Sequence, residues 1–248
     1  GFKKAVICHL DFPIPRKGLP INQMKERVEI TIENAQIFYD LCLRYSRKLC
    51  GIKPLAVIQG YDIDSILYCV KKLKSIGYKR FGIGSVAYLS RLNRNEIIRR
   101  IISVFRFVRN LHVFGVTSIE LMRTLKKFGV MSVDSATPVK EAIFSGILYS
   151  NPFRRFKIAT DHFAYRWSKK YGYAKPLNRP LPCKCPVCKN IGSWVLMRRG
   201  KKIWNNLRAL HNYYHLKKEI LGKFEERDNV NLFIKNIRSF NKAMVVKT

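Results

Sequence analysis

Residues 55–84 read LAVIQGYDIDSILYCVKKLKSIGYKRFGIG, and this stretch decides the fold. Leu55 to Gln59 (LAVIQ) is a short apolar run of the kind found in a buried strand. Asp62 to Ile76 is a helix closed by Gly77, and Arg80 to Gly84 (RFGIG) is a second strand. The same alternation extends to both sides. Upstream, Lys4 to Leu10 (KAVICHL) is a strand running into the turn Asp11-Phe12-Pro13-Ile14-Pro15. From Asn22 to Leu49, Met24, Val28, Ile32, Ala35, Phe38, Leu41 and Tyr45 recur at helical spacing, and Gly51 is expected to end that helix. Downstream come a helix from Arg94 to Val108, a strand from Leu111 to Gly115, a helix from Ser118 to Lys127 stopped by Gly129, a strand from Val130 to Asp134, and a helix from Pro138 to Ile147. Strands alternating with helices indicate parallel βαβ units, in an open doubly wound sheet or a closed barrel. Polar residues and glycines stand just past the strands: Asp11, Gln59, Gly60, Gly84, Ser85, Gly115 and Asp134. No G-x-G-x-x-G follows any strand, so the reading is a (β/α)8 TIM barrel with three N-terminal strands unaccounted for.

A chain of 248 residues with 47% hydrophobic content buries a full core and excludes wholesale disorder. No apolar run is long enough for a membrane span, Phe2 to Leu10 is too short for a signal peptide, and a cytoplasmic location is expected. The 48 Lys and Arg residues outnumber the 16 Asp and Glu, giving a formal charge of +32. Self-repulsion on that scale points to a polyanionic partner, with a generally basic surface as the alternative. The charges are spread along the chain rather than gathered on one amphipathic helix, which favours nucleic acid over a membrane.

The C-terminal part has a different chemistry. Cys183-Lys184-Cys185-Pro186-Val187-Cys188 spaces three thiolates C-x-C-x2-C, and His211 follows 23 positions after the last. Three thiolates and one imidazole are the ligands of a tetrahedral structural Zn²⁺ with no open position. A disulfide with a stray thiol is the alternative, although Cys183 and Cys185 stand too close for an easy bridge. His215, one helical turn further on, competes with His211 as fourth ligand or serves as its neighbour. Ser150 to Pro182 reads as an irregular excursion rich in aromatic and basic residues, among them Phe153, Tyr165, Arg166 and Trp167. Trp204 to His211, Leu216 to Phe224 and Val230 to Phe240 read as helices. The expected division is a partial barrel over 1–150 and a zinc-binding subdomain with C-terminal helices over 151–248.

Five short pieces occur in order: Leu10-Asp11-Phe12-Pro13, Val57-Ile58-Gln59-Gly60, Gly82-Ile83-Gly84-Ser85, His112-Val113-Phe114-Gly115 and Val133-Asp134-Ser135-Ala136. With the cysteine spacing and the segment LRALHNYYHLKKEI (207–220), they resemble the tRNA-guanine transglycosylase family, which includes archaeosine enzymes and DNA-modifying relatives. The resemblance implies a (β/α)8 barrel carrying a zinc subdomain and the exchange of guanine in a polynucleotide for a free 7-deazaguanine base. It makes Asp134 the nucleophile at the sugar C1′, a role that suits an anion facing an oxocarbenium-like centre. Capping the Pro138 to Ile147 helix is the other use of Asp134. The resemblance assigns Asp11 and Gln59, beside Gly60, to the purine edge, and Gly84 and Ser85 to the base carbonyl, with Ser85 standing at a family glycine. It sets Phe114 against the base face, unless that ring is simply core, and Lys140 beside the substrate where bacterial members carry arginine. The target base would be looped out or single-stranded.

One departure is plain. The family's second catalytic aspartate lies upstream of the LDFP segment, and here Asp11 is the first acidic residue. With Gly1 in place of Met and three strands unaccounted for, a fragment, a processed product or a split protein is expected, completed by upstream residues or a partner chain. The polynucleotide is expected to be tRNA, with DNA as the same-chemistry alternative, and a homodimer is a further possibility. The rival of another class is a non-catalytic nucleic-acid-binding subunit.

Overall fold

In the computed structural model, residues 5–15, 18–49, 51–85, 94–159, 173–174 and 176–221 are described. The chain divides into two units, Gly1–Lys140 and Glu141–Thr248. The first is built from β1 (Ala5–Cys8), α1 (Ile21–Arg44), β2 (Ile52–Ile58), α2 (Ile63–Ile76), β3 (Phe81–Ile83), α3 (Arg94–Phe105), β4 (Leu111–Val113), α4 (Ile119–Lys127) and β5 (Ser132–Val133). All four strand pairings are parallel, and the strands lie side by side in chain order. That order decides between the two candidate architectures. A doubly wound sheet reverses its strand order to place helices on both faces, whereas right-handed crossovers in unbroken order keep every helix on one face. The sheet is therefore an α/β half-barrel of five strands.

Local chemistry explains the helices. Asp62 caps α2 by accepting the Ser65 N–H, while Ser65 returns a bond to the Asp62 N–H. Gly77 ends the helix at φ +112°, and a Cβ there would meet the Tyr39 hydroxyl. Ile66, Cys69, Val70 and Leu73 are the buried face, each large side chain contributing about 2 kcal/mol of burial. Helix α1 stops at Arg44, short of the expected Leu49, because residues 43–48 are all exposed and have no face to bury. Gly51 is not the cap of α1; it sits at φ +88° in the turn entering β2, where Ile52 N–H donates to the Leu49 carbonyl.

The chain enters the second unit along α5 (Thr137–Ile143), shorter than the expected Pro138–Ile147 helix. Gly146–Tyr149 is instead strand β6, paired antiparallel with β7 (Arg154–Lys157). All four residues of β6 are buried, and the pairing strand lies beyond the reach of a local pattern. The expected irregular stretch thus begins with a hairpin; Tyr165, Arg166 and Trp167 lie outside the described residues. Then follow α6 (Pro186–Ile191), a 3-10 turn (Ser193–Met197) and α7 (Lys202–Leu221). Helix α7 is one continuous helix where two were expected, and the expected Val230–Phe240 helix lies outside the described residues. Ile147, Tyr149, Phe156, Val187, Val195 and Leu196 belong to its core, which also takes in Cys185 and Cys188. Among the described residues no helix is long and apolar enough to cross a membrane.

Candidate active site and metal centre

The first group of functional side chains stands at the C-terminal ends of β1, β2 and β3. A one-way hydrogen-bond chain runs through it. Ile14 N–H donates to Ser85 Oγ (3.2 Å), Ser85 O–H donates to Gln59 Oε1 (2.8 Å), and Gln59 Nε2–H donates to Asp11 Oδ2. Gln59 is 1% exposed, so its amide orientation is imposed by these partners. The Gln59 amide and the Asp11 carboxylate thus stand side by side as donor and acceptor. A donor next to an acceptor is what the Watson–Crick edge of a purine bearing O6 and N1–H requires. Gly84 lies against the pair: a Cβ there would fall on Gln59 Nε2 and 3.4 Å from Asp11 Oδ2. Ser85 has φ +58°, in the left-handed region that favours glycine.

The loop after β1 is pinned from several sides. Phe12 N–H donates to Thr31 Oγ1 (3.0 Å) on α1, and Arg27 donates to the Pro13 carbonyl while lying over the Phe12 ring. Buried His9 accepts the Val57 N–H at Nε2 (2.8 Å), so its Nδ1 carries the proton and donates to the Leu10 carbonyl (2.9 Å). Burial pushes the His9 pKa down, against smaller upward effects of that carbonyl and Asp11. After β2, Arg100 on α3 donates to the carbonyls of Gly60 (3.2 Å) and Tyr61 (2.8 Å).

The second group stands at β4 and β5. Asp134 Oδ1 accepts the Gly115 N–H (2.9 Å) and faces His112 Nε2 (3.3 Å), and His112 Nδ1 meets Ser132 Oγ (2.8 Å). The Asp134 side chain is 55% exposed, so one oxygen is fixed and the carboxylate still opens to solvent. Both of these Asp134 partners lie on β4 or just past it. Phe114 is half-buried, edge-on to His112 with ring centroids 4.4 Å apart, and its ring covers Gly82, where a Cβ would strike it. Lys140 is exposed on α5. His9, Thr31, Arg100 and His112 have structural parts that the sequence reading did not assign. For His112 the signal was there, since period 2 puts it on the same strand face as Phe114.

In the second unit, the sulfurs of Cys183, Cys185 and Cys188 and one His211 nitrogen lie within 4.8 Å of one another. His211 Nε2–H donates to the Leu148 carbonyl (2.9 Å), leaving the Nδ1 lone pair aimed at the sulfurs at 3.2, 3.6 and 4.0 Å. Tetrahedral Zn–S and Zn–N bonds put ligand atoms about 3.5–3.8 Å apart, so the set fits Zn²⁺. The six described cysteines are all free, so the disulfide alternative does not hold among them. Burial first, then the neighbouring His215, pushes His211 down to about 3, keeping the imidazole neutral as a ligand must be. Burial raises the Cys183 and Cys188 thiols, which a dication would reverse. Cys185 also caps α6, its sulfur accepting the Cys188 N–H at 3.4 Å.

A family model described as queuine tRNA-ribosyltransferase matches residues 5–222. A DNA-guanine transglycosylase of Salmonella montevideo is 28% identical over 125 residues, 50% of this chain and 29% of that protein. A tRNA-guanine(15) transglycosylase of Pyrococcus abyssi (strain GE5 / Orsay) is 26% identical over 216 residues, 85% of this chain and 32% of that protein. The counterpart in Thermococcus onnurineus (strain NA1) is 25% identical over 217 residues, again 85% and 32%. The chain thus spans a minor part, 29% to 32%, of the length of the curated relatives it matches.

Proposed function

Because this chain belongs to the queuine tRNA-ribosyltransferase family, we propose that it carries the guanine-exchange chemistry of a transglycosylase acting on tRNA. Asp11 and Gln59 hold the guanine edge, Gly84 and Ser85 approach the base carbonyl, and Phe114 stacks on the base face. Asp134 attacks the sugar C1′: the C1′–N9 bond breaks as the C1′–carboxylate bond forms, and the base departs with a proton. A free 7-deazaguanine then attacks C1′ through its own ring nitrogen, loses its proton, and releases Asp134. The single observation that carries this reading is the half-held Asp134 carboxylate at a strand end of the sheet that also presents the Asp11–Gln59 pair. The resemblance makes a second carboxylate the group that gives and takes the proton.

Lys140 and the +32 charge hold the phosphates. Cys183, Cys185, Cys188 and His211 would hold one structural Zn²⁺, which cross-links the C-terminal module and takes no part in the chemistry. The division into a catalytic part over 1–150 and a zinc-bearing part over 151–248 belongs to the same reading. A tRNA substrate is favoured because the tRNA-acting relatives align with 85% of this chain; DNA is the second reading, favoured by the 28% identity to the DNA-acting relative.

The test is adduct trapping. The completed protein, incubated with polynucleotide and no incoming base, should accumulate a covalent adduct that Asp134→Asn abolishes with binding nearly intact. An Asp134→Asn variant that exchanges labelled guanine at the parental rate refutes the nucleophile; retained binding without exchange by any completed form identifies a non-catalytic subunit.

A further inference from the structure

Two histidines one turn apart on α7, His211 and His215, meet the same cysteine cluster with opposite ring nitrogens. His215 Nδ1 lies 3.1 Å from the Ser150 backbone nitrogen, and a backbone N–H can only donate. Nδ1 is therefore the acceptor, and the proton of the neutral ring sits on Nε2. That Nε2 lies 3.2 Å from Cys183 Sγ. His211 is wired the other way, with Nε2–H spent on the Leu148 carbonyl and Nδ1 facing the sulfurs. One imidazole presents a lone pair to the cluster, and the other presents a proton.

We propose that His215 is a positioning residue of the metal centre, its Nε2–H holding the Cys183 thiolate while Ser150 fixes the ring. The inference rests on Zn²⁺ being held by Cys183, Cys185, Cys188 and His211. Three thiolates around a dication leave one net negative charge on sulfur, and N–H donors to sulfur spread it. Cys183 needs this most. It is half-buried while Cys185, Cys188 and His211 are buried, and the Cys185 N–H at 3.4 Å is a long bond. The donor also links the centre to the hairpin. Asn212, next to His211, accepts the Leu148 N–H (2.8 Å) and donates to the Gly146 carbonyl (3.0 Å), so with His211 on the Leu148 carbonyl and His215 on the Ser150 N–H, α7 reads the backbone of residues 146–150 through four side-chain contacts. Metal binding thereby orders the Ser150 turn as well as the cysteine loop.

The test uses the whole chain, with Zn²⁺ competed against a chromophoric chelator, Co²⁺ absorption as a report of the ligand set, and iodoacetamide alkylation of the Zn²⁺-loaded protein. His215→Ala should weaken Zn²⁺ binding about 10- to 100-fold and speed alkylation of Cys183, with the tetrahedral three-thiolate Co²⁺ spectrum preserved. His215→Gln keeps a donor at the Nε2 position and should restore parental affinity. Parental affinity in His215→Ala overturns the proposal, as does equal weakening in the Ala and Gln variants. A tetrahedral spectrum lost in His215→Ala yet kept in His211→Ala makes His215 the ligand and also overturns it. Should His215→Ala not fold, His215→Leu, which fills the ring's place without a donor, decides: weakened affinity supports the proposal and parental affinity overturns it. A parental chain that binds no Zn²⁺ or Co²⁺ defeats the metal reading itself, a different result from a bound metal indifferent to His215.

Discussion

Replacing Gly84 by alanine tests the proposed purine pocket by adding one methyl group. Gly84 is not in the left-handed region, so alanine brings no special backbone strain, and the change acts through space alone. The new Cβ would fall on Gln59 Nε2, 3.1 Å from Gln59 Cδ and 3.4 Å from Asp11 Oδ2. Gln59 is 1% exposed and its amide cannot move aside without leaving Asp11 and the Ser85 hydroxyl. Overpacking costs about 1–3 kcal/mol, and each buried hydrogen bond broken about 1–3 kcal/mol more. Partial relaxation brings the expected loss of stability to about 2–4 kcal/mol. The displaced amide no longer stands beside the Asp11 oxygen, so guanine loses a matched donor–acceptor pair worth about 3 kcal/mol, on the order of 100-fold in kcat/KM. The assay is urea unfolding of the chain together with labelled-guanine exchange by the completed protein. Gly129→Ala is the control: at φ +83° with nothing within 4 Å, it should cost stability through backbone strain and leave exchange unchanged. A folded Gly84→Ala protein exchanging guanine at the parental rate would refute the pocket.

Two further predictions concern buried cations and bases. His9 has its folded pKa lowered by burial, so the unfolded chain takes up its proton first as pH falls. Its contribution is whole above about pH 6.5 and erodes below it by up to about 1.4 kcal/mol per pH unit; comparing urea midpoints at two pH values with those of His9→Gln should show a flatter dependence in the variant, and equal slopes would refute it. Arg208 is 1% exposed, spreads its donors over the carbonyls of Leu196, Ala142 and Arg198 and over Asn205, and is pushed down to about 10 by burial. Arg208→Lys keeps the charge but not the planar fork, and should still destabilise the second unit by about 3 kcal/mol in denaturant unfolding; a parental midpoint would show that the charge alone suffices.

Short-range pattern and spacing were legible in the amino-acid order alone. Apolar runs and helical periods placed all five parallel strands and the helices between them. Asp62 and Gly77 bounded α2, and C-x-C-x2-C with His211 named the four residues whose ligand atoms the fold brings within 4.8 Å. The rest came from contacts between distant parts of the chain. Strand order separated a half-barrel from a doubly wound sheet, because helix handedness is common to both. The segment 146–149 reads as helix locally and becomes a strand because β7 pairs with it and buries all four residues. The sequence could not show the tautomers of His9 and His215, which are set by the backbone N–H groups of Val57 and Ser150, at separations of 48 and 65 residues. Periodicity reports which side of an element faces the core, whereas a side chain bonded to a distant backbone group acquires its role only when folding brings that group within reach.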